Sequence, residues 1–192
     1  MERPLLILAS ASPRRQELLS SAGISFEVLP SEVDEGFREG EPPEEYVLRL
    51  ARRKAKKAGE RHKDRWVLAA DTVVVIDGRI LGKPGDRQEA REMLGVLSGQ
   101  EHRVITGFCL LRGDSGKSRE GTVTTWVRFK RLSSREIEWY LDTGEPFDKA
   151  GAYAIQGKAA FMVREIRGSY TNVVGLPLTE VIEALQEMGA VD

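Results

Sequence analysis

The first strongly patterned segment of the sequence, residues 5–23, predicts a buried strand, a tight turn and a helix in immediate succession. Its apolar run over residues 5–8 is typical of a strand that is covered on both faces. Ser12 and Pro13 then provide an N-cap and a proline at the first helical position, and Gly23 ends the helix. The segment therefore predicts a strand, turn and helix unit whose helix N-terminus can bind an anion.

Two arginines, Arg14 and Arg15, fall in the first turn of this predicted helix. The helix dipole favours negative charge there, so each cation is unfavourable by roughly 0.3–1 kcal/mol unless an anion is bound. A phosphate would reverse the sign of that contribution. The alternative is that both arginines point into solvent or pair with distant carboxylates, and this segment alone leaves the two interpretations open.

The size and charge of the chain restrict its class. Its 192 residues allow one large domain or two small lobes, and 41% apolar with 31% charged residues is ordinary for a globular protein. The 29 basic and 30 acidic residues give a formal net charge of -1. That balance provides no field for binding a nucleic acid backbone, so we expect a small anionic substrate and no nucleic acid partner.

Other classes are disfavoured by what the sequence lacks. A single cysteine, Cys109, excludes an internal disulfide and a cysteine-clustered metal site, and we expect it to be a small buried hydrophobe. His62 and His102 have no second ligand at helical spacing, so neither is assigned a role. There is no signal peptide and no apolar stretch as long as a membrane helix, so we expect a cytoplasmic protein without a membrane partner.

Beyond residue 23 the sequence alternates between strand and helix patterns. Strands are predicted at 24–29, 65–76, about 102–112, about 120–130 and 159–166, and helices at 42–59, 86–99, 133–144 and 177–189. A hairpin turn is predicted at 77–78, and capping boxes are predicted at the starts of the helices that follow residues 86 and 133.

Two charged residues interrupt apolar patterns. Asp71 lies inside the most apolar run of the chain, where a carboxylate is costly to bury unless it is paired or bound to a metal. Asp71 is therefore the best candidate for chemistry, and a structural aspartate that caps a helix is the alternative. Lys54 lies seven residues after Val47, on the apolar stripe of its helix. Such a lysine needs a partner or a ligand, unless it reaches past the stripe to solvent.

Several loops carry polar residues of less certain role. Asp34 and Glu35 lie in an acidic loop that is either a source of carboxylates or a solvated turn. Lys83 follows the hairpin in a loop with glycine and proline. Two long glycine-bearing stretches, residues 144–157 and 168–177, match neither a Walker loop nor the dinucleotide fingerprint. Two such stretches line a cleft more often than they form plain turns.

Taken together, five motifs resemble the Maf family of nucleoside triphosphate pyrophosphatases, once described as septum-formation inhibitors. The motifs are LASASPRRQELL at 8–19, ADTVV at 70–74, GKP at 82–84, DKAGAYAIQG at 148–157 and GSYTNVVGLP at 168–177. They extend over nearly the whole chain and occur in the family's order. The fourth motif resembles the branch of the family that acts on dTTP and UTP.

The resemblance implies a fold and a reaction. The fold would be α/β, one Maf-like domain over residues 1–192 with a mixed twisted sheet and flanking helices, in two lobes that share the sheet around a central cleft, similar to inosine triphosphate pyrophosphatases. The enzyme would hydrolyse dTTP and UTP, or modified pyrimidine nucleotides, to the monophosphate and pyrophosphate. It would need a divalent cation, Mg2+ or Mn2+, and it would form a homodimer.

The resemblance also implies roles for individual residues. Asp71 would accept a proton in catalysis and, with Glu35, would hold the metal. Substrate specificity would depend on Arg14, Thr72 and Gln156, and phosphates would be bound by Ser10, Arg15, Lys54 and Lys83. Two rival functions stay open: a nucleotide-binding regulator of cell division with little turnover, and a phosphatase that releases orthophosphate.

Overall fold

The computed structural model describes residues 6–191 of the chain, so Leu5, at the start of the first predicted strand, lies outside the described residues. Within that range are seven strands: β1 (Leu6–Leu8), β2 (Phe26–Val28), β3 (Trp66–Ile76), β4 (Arg79–Leu81), β5 (Glu101–Arg112), β6 (Ser118–Phe129) and β7 (Val163–Arg167). The α-helices described there are α1 (Pro13–Ser21), α2 (Pro43–Gly59), α3 (Arg87–Leu97), α4 (Ser134–Asp142), α5 (Tyr170–Val174) and α6 (Leu178–Glu187). Short 3-10 segments cover Glu145–Asp148, Ala150–Ala152 and Gly157–Met162.

The strands form a mixed sheet with the order β2-β1-β3-β5-β6-β7, and β4 pairs with β3. Strand β1 is parallel to β2 and to β3, whereas the β3/β4 and β6/β7 pairs are antiparallel. The β3/β4 hairpin turns at Asp77 and Gly78, which have φ values of 48° and 75° as a two-residue hairpin turn requires. The predicted α/β class with a mixed sheet and flanking helices is confirmed.

The chain divides into two compact units of residues. The first unit contains residues 6–71, Thr106–Val123 and residues 175–191 of the described chain. The second unit contains Thr72–Ile105 and Thr124–Val174. The boundaries fall within β3, β5 and β6, so each unit takes part of these three strands.

In the first unit, apolar side chains alternate between the two faces of the strands, as the period of two in a strand requires. One face packs with α1 and α6 through Leu6, Leu8, Leu19, Leu68, Val181 and Leu185. The other face packs with α2 through Ile7, Ala9, Ala51, Ala55, Val67 and Ala69. Helix α2 approaches β5 so closely that a Cβ atom on Gly107 would lie 2.7 Å from the backbone nitrogen of Leu48. A side chain at position 107 is therefore excluded.

The second unit has its own apolar core, formed by β3, β5 and β6 residues with α3 and α4. Its centre includes an aromatic group in which His102, Phe129 and Tyr153 meet edge to face at centroid distances of 4.7–5.4 Å. Helices α3 and α4 are also joined by ion pairs from Arg87 and Arg91 to Glu138. No helix in residues 6–191 is both long and apolar enough to cross a membrane.

Most predicted helix ends are confirmed, but the capping contacts differ in detail. Ser133 and Glu136 form the full predicted capping box of α4. Asp86 caps α3 by accepting from the Glu89 amide, whereas the Glu89 carboxylate accepts from the Gly85 amide and not from that of the cap residue. The predicted box at Asp86 is therefore only half formed.

Ser12 is the N-cap residue of α1 and Pro13 follows it, as predicted, but the Ser12 side chain makes no capping bond. One local prediction was wrong. The strand predicted at 159–166 begins only at Val163. Before it, the chain forms a 3-10 segment in which Ala159 and Met162 are buried, three residues apart as one turn of that helix requires. The short helix α5 inside the second glycine-bearing stretch was not predicted.

Candidate active site

Asp71 is placed by the alternation along β3. Val67 and Ala69 face α2, and Asp71, two residues further along the same strand, continues that face. Lys54 lies on the stripe of α2 that carries Ala51 and Ala55 towards the same face. The lysine and the carboxylate are therefore brought together by two regular patterns, the period of a strand and the period of a helix.

Lys54 binds two carboxylates at once. Its Nζ atom lies 2.7 Å from Oδ1 of Asp71 and 2.7 Å from Oε1 of Glu35. The side chains of Lys54 and Asp71 are only 12% and 13% exposed, whereas that of Glu35 is 53% exposed. The inward lysine thus has partners and does not extend to solvent. Asp71 is paired with a cation and does not serve as a helix cap.

The environment of Asp71 shifts its proton equilibrium. Burial raises the pKa of its carboxyl group, while the charges of Lys54 and Arg15 oppose that shift and the nearby Glu35 carboxylate adds to it. Burial is the largest of these effects. Asp71 is therefore a stronger base than an exposed aspartate, which suits a group that accepts a proton in catalysis.

Arg15 connects three parts of the first unit. Its Nε atom donates to the carbonyl oxygen of Gly175 at 2.7 Å, and its Nη1 atom donates to the Ser10 hydroxyl at 3.1 Å and the Ala70 carbonyl at 2.9 Å. Burial lowers its pKa from the ordinary arginine value. Arg15 therefore points inward, and the alternative of a solvent-directed arginine is wrong for this residue. Arg14 lies beside it, half-buried in the first turn of α1.

The loop that carries Glu35 is attached to α2. The Tyr46 hydroxyl donates to the Glu35 carbonyl at 2.8 Å, and the Phe37 ring stacks on Tyr46 at a centroid distance of 4.3 Å. Arg49 donates to the Gly36 carbonyl at 3.0 Å. Burial, with the Asp71 charge next in size, raises the pKa of Tyr46 to about 12, so its hydroxyl stays protonated and keeps donating. The exposed Glu35 is thereby held near Lys54 through its backbone.

The other predicted site residues belong to the second unit. Thr72 follows Asp71 directly in β3 and is half-buried, Lys83 is exposed, and Gln156 is half-buried at the N-terminal end of the last 3-10 segment. The amide of Gly151 donates to the carbonyl of Gly82 at 3.0 Å. This bond joins the loop of Lys83 to the segment of Gln156. Of the nine predicted site residues, Ser10, Arg14, Arg15, Glu35, Lys54 and Asp71 belong to the first unit, and the other three to the second.

Two hard oxygen donors, the carboxylates of Glu35 and Asp71, could hold a divalent cation. Both already converge on one ammonium group at 2.7 Å, so their placement suits a shared cation. Residues 6–191 contain no group of three or more histidine, cysteine, aspartate or glutamate side chains with metal-binding geometry. Two carboxylates are the kind of ligand that Mg2+ and Mn2+ take in proteins, and water or phosphate oxygens would have to complete the coordination of such an ion.

Some contacts of this cluster were not evident in the sequence. Gly175 was noted only as part of a glycine-bearing stretch, yet its carbonyl binds Arg15 across 160 residues. Tyr46 was not singled out in the sequence, although its hydroxyl donates to the Glu35 carbonyl and fixes that loop. His102, which was assigned no role, hydrogen-bonds through Nε2 to the Tyr153 hydroxyl at 2.7 Å. Its place in a strand pattern gave no signal for that contact.

Comparison with known proteins supports the α/β fold and identifies the family of the chain. The structure resembles that of the Ham1 protein of Staphylococcus aureus, with a TM-score of 0.50, 13% identity, and coverage of 96% of this chain and 98% of that one. At that identity the likeness concerns the α/β fold alone. The profile of the Maf-like protein family matches residues 5–188, and the chain belongs to this family.

Close relatives in the family carry one name. The dTTP/UTP pyrophosphatase of Syntrophus aciditrophicus is 56% identical over 185 residues, which cover 96% of this chain and 90% of the relative. The dTTP/UTP pyrophosphatase of Geotalea uraniireducens is 56% identical over 191 residues, which cover 97% of this chain and 96% of the relative.

Proposed function

We propose that this protein is a nucleoside triphosphate pyrophosphatase that hydrolyses dTTP and UTP to the monophosphate and pyrophosphate. The observation that supports it best is the cluster of Lys54, Asp71 and Glu35 beside Arg15. A phosphoanhydride hydrolase needs a base, cations that neutralise phosphate charge, and a place for a divalent ion. The names of the relatives support the reaction and the two substrates.

In the proposed mechanism the chain's own residues bind the phosphates and accept a proton. Asp71 would accept the proton of the attacking water, as its raised pKa favours. Ser10, Arg15, Lys54 and Lys83 would bind phosphate oxygens, and the departing pyrophosphate would carry negative charge that these groups stabilise. On binding substrate, Lys54 would exchange a carboxylate partner for a phosphate oxygen.

A divalent cation, Mg2+ or Mn2+, is part of the proposal and would be held by Glu35 and Asp71. When bound, it would neutralise phosphate charge and lower the pKa of a bound water. Base preference would depend on Arg14, Thr72 and Gln156. The amide of Gln156 both donates and accepts, which suits the edge of a pyrimidine ring.

The test measures pyrophosphate and orthophosphate separately, for a panel of nucleoside triphosphates with Mg2+, with Mn2+ or with a chelator. We expect pyrophosphate from dTTP and UTP, only with a metal present. Asp71→Asn should lose at least about a hundredfold in kcat, within the range that a positioned base contributes. Asp77→Asn is the matched control, because Asp77 lies in a hairpin turn whose positive φ asparagine accepts.

Other results would replace the proposal. Orthophosphate as the first product would identify a phosphatase. Nucleotide binding without any product would favour a regulatory protein. A homodimer in the cytoplasm is also part of the proposal, because the family resemblance suggests it. Light scattering on the purified protein and fractionation of cells test those two points.

A further inference from the structure

Gln156 lies in a segment whose backbone is held in an uncommon conformation. Gly151, Ala152 and Gly157 have φ values of 67°, 59° and 78°. A left-handed alanine is strained, and it persists only where the surrounding structure fixes it. A Cβ atom on Gly151 would lie 2.9 Å from Cγ2 of Val74, so the segment also packs tightly against β3. Contacts outside the segment must therefore keep this conformation.

The first such contact is a hydrogen bond of 2.7 Å between His102 and Tyr153. Tyr153 lies three residues before Gln156. Both side chains are buried, with the residues 1% and 5% exposed. The two rings meet edge to face, and each also packs edge to face on Phe129. Since a lone buried hydroxyl is costly, the imidazole fixes both the position and the orientation of Tyr153.

The second contact joins the carboxylate of Glu145 to Lys158, which lies two residues after Gln156. The carboxylate accepts from the backbone amide of Lys158 at 3.1 and 3.4 Å. A Cβ atom on Gly157 would lie 3.1 Å from the same carboxylate. Glu145 therefore closes over a glycine backbone, at a distance that a side chain at 157 would disturb.

Between these contacts, the side chain of Gln156 makes no capping bond to the 3-10 segment that it precedes. The backbone around Gln156 is held at Tyr153 on one side and at Lys158 on the other. The Gly151 amide is in addition bound to the Gly82 carbonyl at 3.0 Å. Gln156 is thus presented on a backbone that is fixed on both sides.

We propose that His102 and Glu145 are positioning residues that fix Gln156 for the recognition of a pyrimidine ring. This inference rests on the proposed function, because Gln156 has a base to read only if the substrate is a nucleotide. An amide distinguishes uracil from cytosine by matching a donor to an acceptor, and that match is lost when the amide shifts by a fraction of an ångström. His102 and Glu145 act through Tyr153 and Lys158 and touch no substrate themselves.

The experiment measures the ratio of kcat/KM for UTP to that for CTP in variants that break or preserve each contact. His102→Leu and Glu145→Ala remove the partner of Tyr153 or of the Lys158 amide. We expect each to lower the ratio about tenfold, which corresponds to the loss of about one buried hydrogen bond. Most of the change should be in KM for UTP, with kcat within about twofold. His102→Gln and Glu145→Gln keep a hydrogen-bonding group and should retain most of the ratio.

Two controls separate positioning from general damage. Tyr153→Phe removes only the hydroxyl and should behave like His102→Leu, whereas Tyr140→Phe removes a buried hydroxyl from α4 and should leave the ratio unchanged. Glu183→Ala, an exposed position on α6, is the control for Glu145→Ala. If the buried variants do not fold, Glu145→Ala alone still tests the inference, because the bond between Glu145 and the Lys158 amide is exposed.

The inference is overturned if the ratio stays at its wild-type value in His102→Leu and Glu145→Ala. It is also overturned if UTP and CTP lose activity in equal proportion, or if the glutamine variants restore nothing. A wild-type protein that releases no pyrophosphate from any nucleotide would refute the proposed function. In that case the ratio of the dissociation constants for non-hydrolysable UTP and CTP analogues would be measured in each variant. A ratio equal to that of the wild type would overturn the inference separately.

Discussion

Lys54 donates to Asp71 across 2.7 Å, and both side chains are almost wholly removed from solvent. The two residues come from the patterned faces of α2 and β3, where every neighbour of the same pattern is apolar. Each charge would be costly to bury alone, and together they neutralise one another. The first unit thus keeps an ion pair within its apolar layer, with Glu35 as a third and more exposed member.

Removing one member of this pair should destabilise the fold. Lys54→Met leaves the Asp71 and Glu35 carboxylates facing each other, and we expect a loss of about 3 kcal/mol in unfolding free energy. The double variant Lys54→Met/Asp71→Asn should lose less than the sum of the two single variants, because the residues share one interaction. Urea denaturation of all three measures the coupling. Lys57→Met, on the same helix, removes a side chain whose one hydrogen bond within residues 6–191 is to the Glu32 carbonyl, and it should change stability by less than about 0.5 kcal/mol.

Arg15 should not be replaceable by lysine. A guanidinium group reaches the Ser10 hydroxyl and two carbonyl oxygens in a fixed planar geometry, which a single ammonium group cannot reproduce. We expect Arg15→Lys to lose about 2 kcal/mol of stability and at least tenfold in kcat/KM. Thermal unfolding and pyrophosphate release measure the two effects. Arg135→Lys, exposed on α4, is the control, and equal behaviour of the two variants would contradict the prediction.

His102 should make stability depend on pH. Burial lowers the pKa of His102 to about 4, whereas a histidine in the unfolded chain has a pKa near 6.5. Between these values the unfolded chain binds a proton that the folded protein does not, so stability falls as pH is lowered from about 6.5 towards 4. The contribution of this residue amounts to about 3 kcal/mol.

The measurement for His102 compares denaturation midpoints of the wild type and His102→Gln from pH 7 to pH 4, a range of about three units around the two pKa values. The glutamine does not titrate, so the gap between the two proteins should move in favour of the variant as pH falls. A gap that stays constant over the range would show that His102 does not carry this dependence.

Gly107→Ala should be strongly destabilising although glycine and alanine differ by one methyl group. The added Cβ atom would lie 2.7 Å from two backbone atoms of α2, which cannot move as a flexible side chain can. We expect a loss of about 2–3 kcal/mol, as overpacked cores show. Gly95→Ala is the control, because a Cβ atom there meets nothing within 4 Å and alanine favours the helix. Chemical denaturation of both variants should therefore give changes of opposite sign.

Much of the first unit could be predicted from local patterns. Lys54 and Asp71 stood out because each is a charge in an apolar pattern, and the structure pairs them with each other. The sequence could not show that these two residues pair with each other. The period of a helix or strand indicates which face carries a residue, but not which residue of another element packs against that face. Gly175 and Arg15, 160 residues apart, meet only when the chain is folded.

The second unit was predicted less well, for a related reason. The sequence pattern places His102 in a buried strand and Tyr153 in a loop. Neither pattern predicts the hydrogen bond between these two residues, which are 51 positions apart in the sequence. Residues 159–162 were predicted as the start of a strand over 159–166, whereas they belong to a 3-10 segment. A 3-10 turn buries residues three apart, and that spacing in so short a segment is not distinguishable from a strand of the same composition.

The three bonds of Arg15 have a consequence for how the protein is made. They join residue 10, residue 70 and residue 175 of a chain of 192 residues. During synthesis the carbonyl of Gly175 is made last of the three partners, long after those of residues 10 and 70. A nascent chain can therefore form its early strands and helices, but Arg15 acquires its last partner only after Gly175 has been added. A fragment that stops before that glycine is expected to contain every charged residue of the cluster and still lack its finished arrangement.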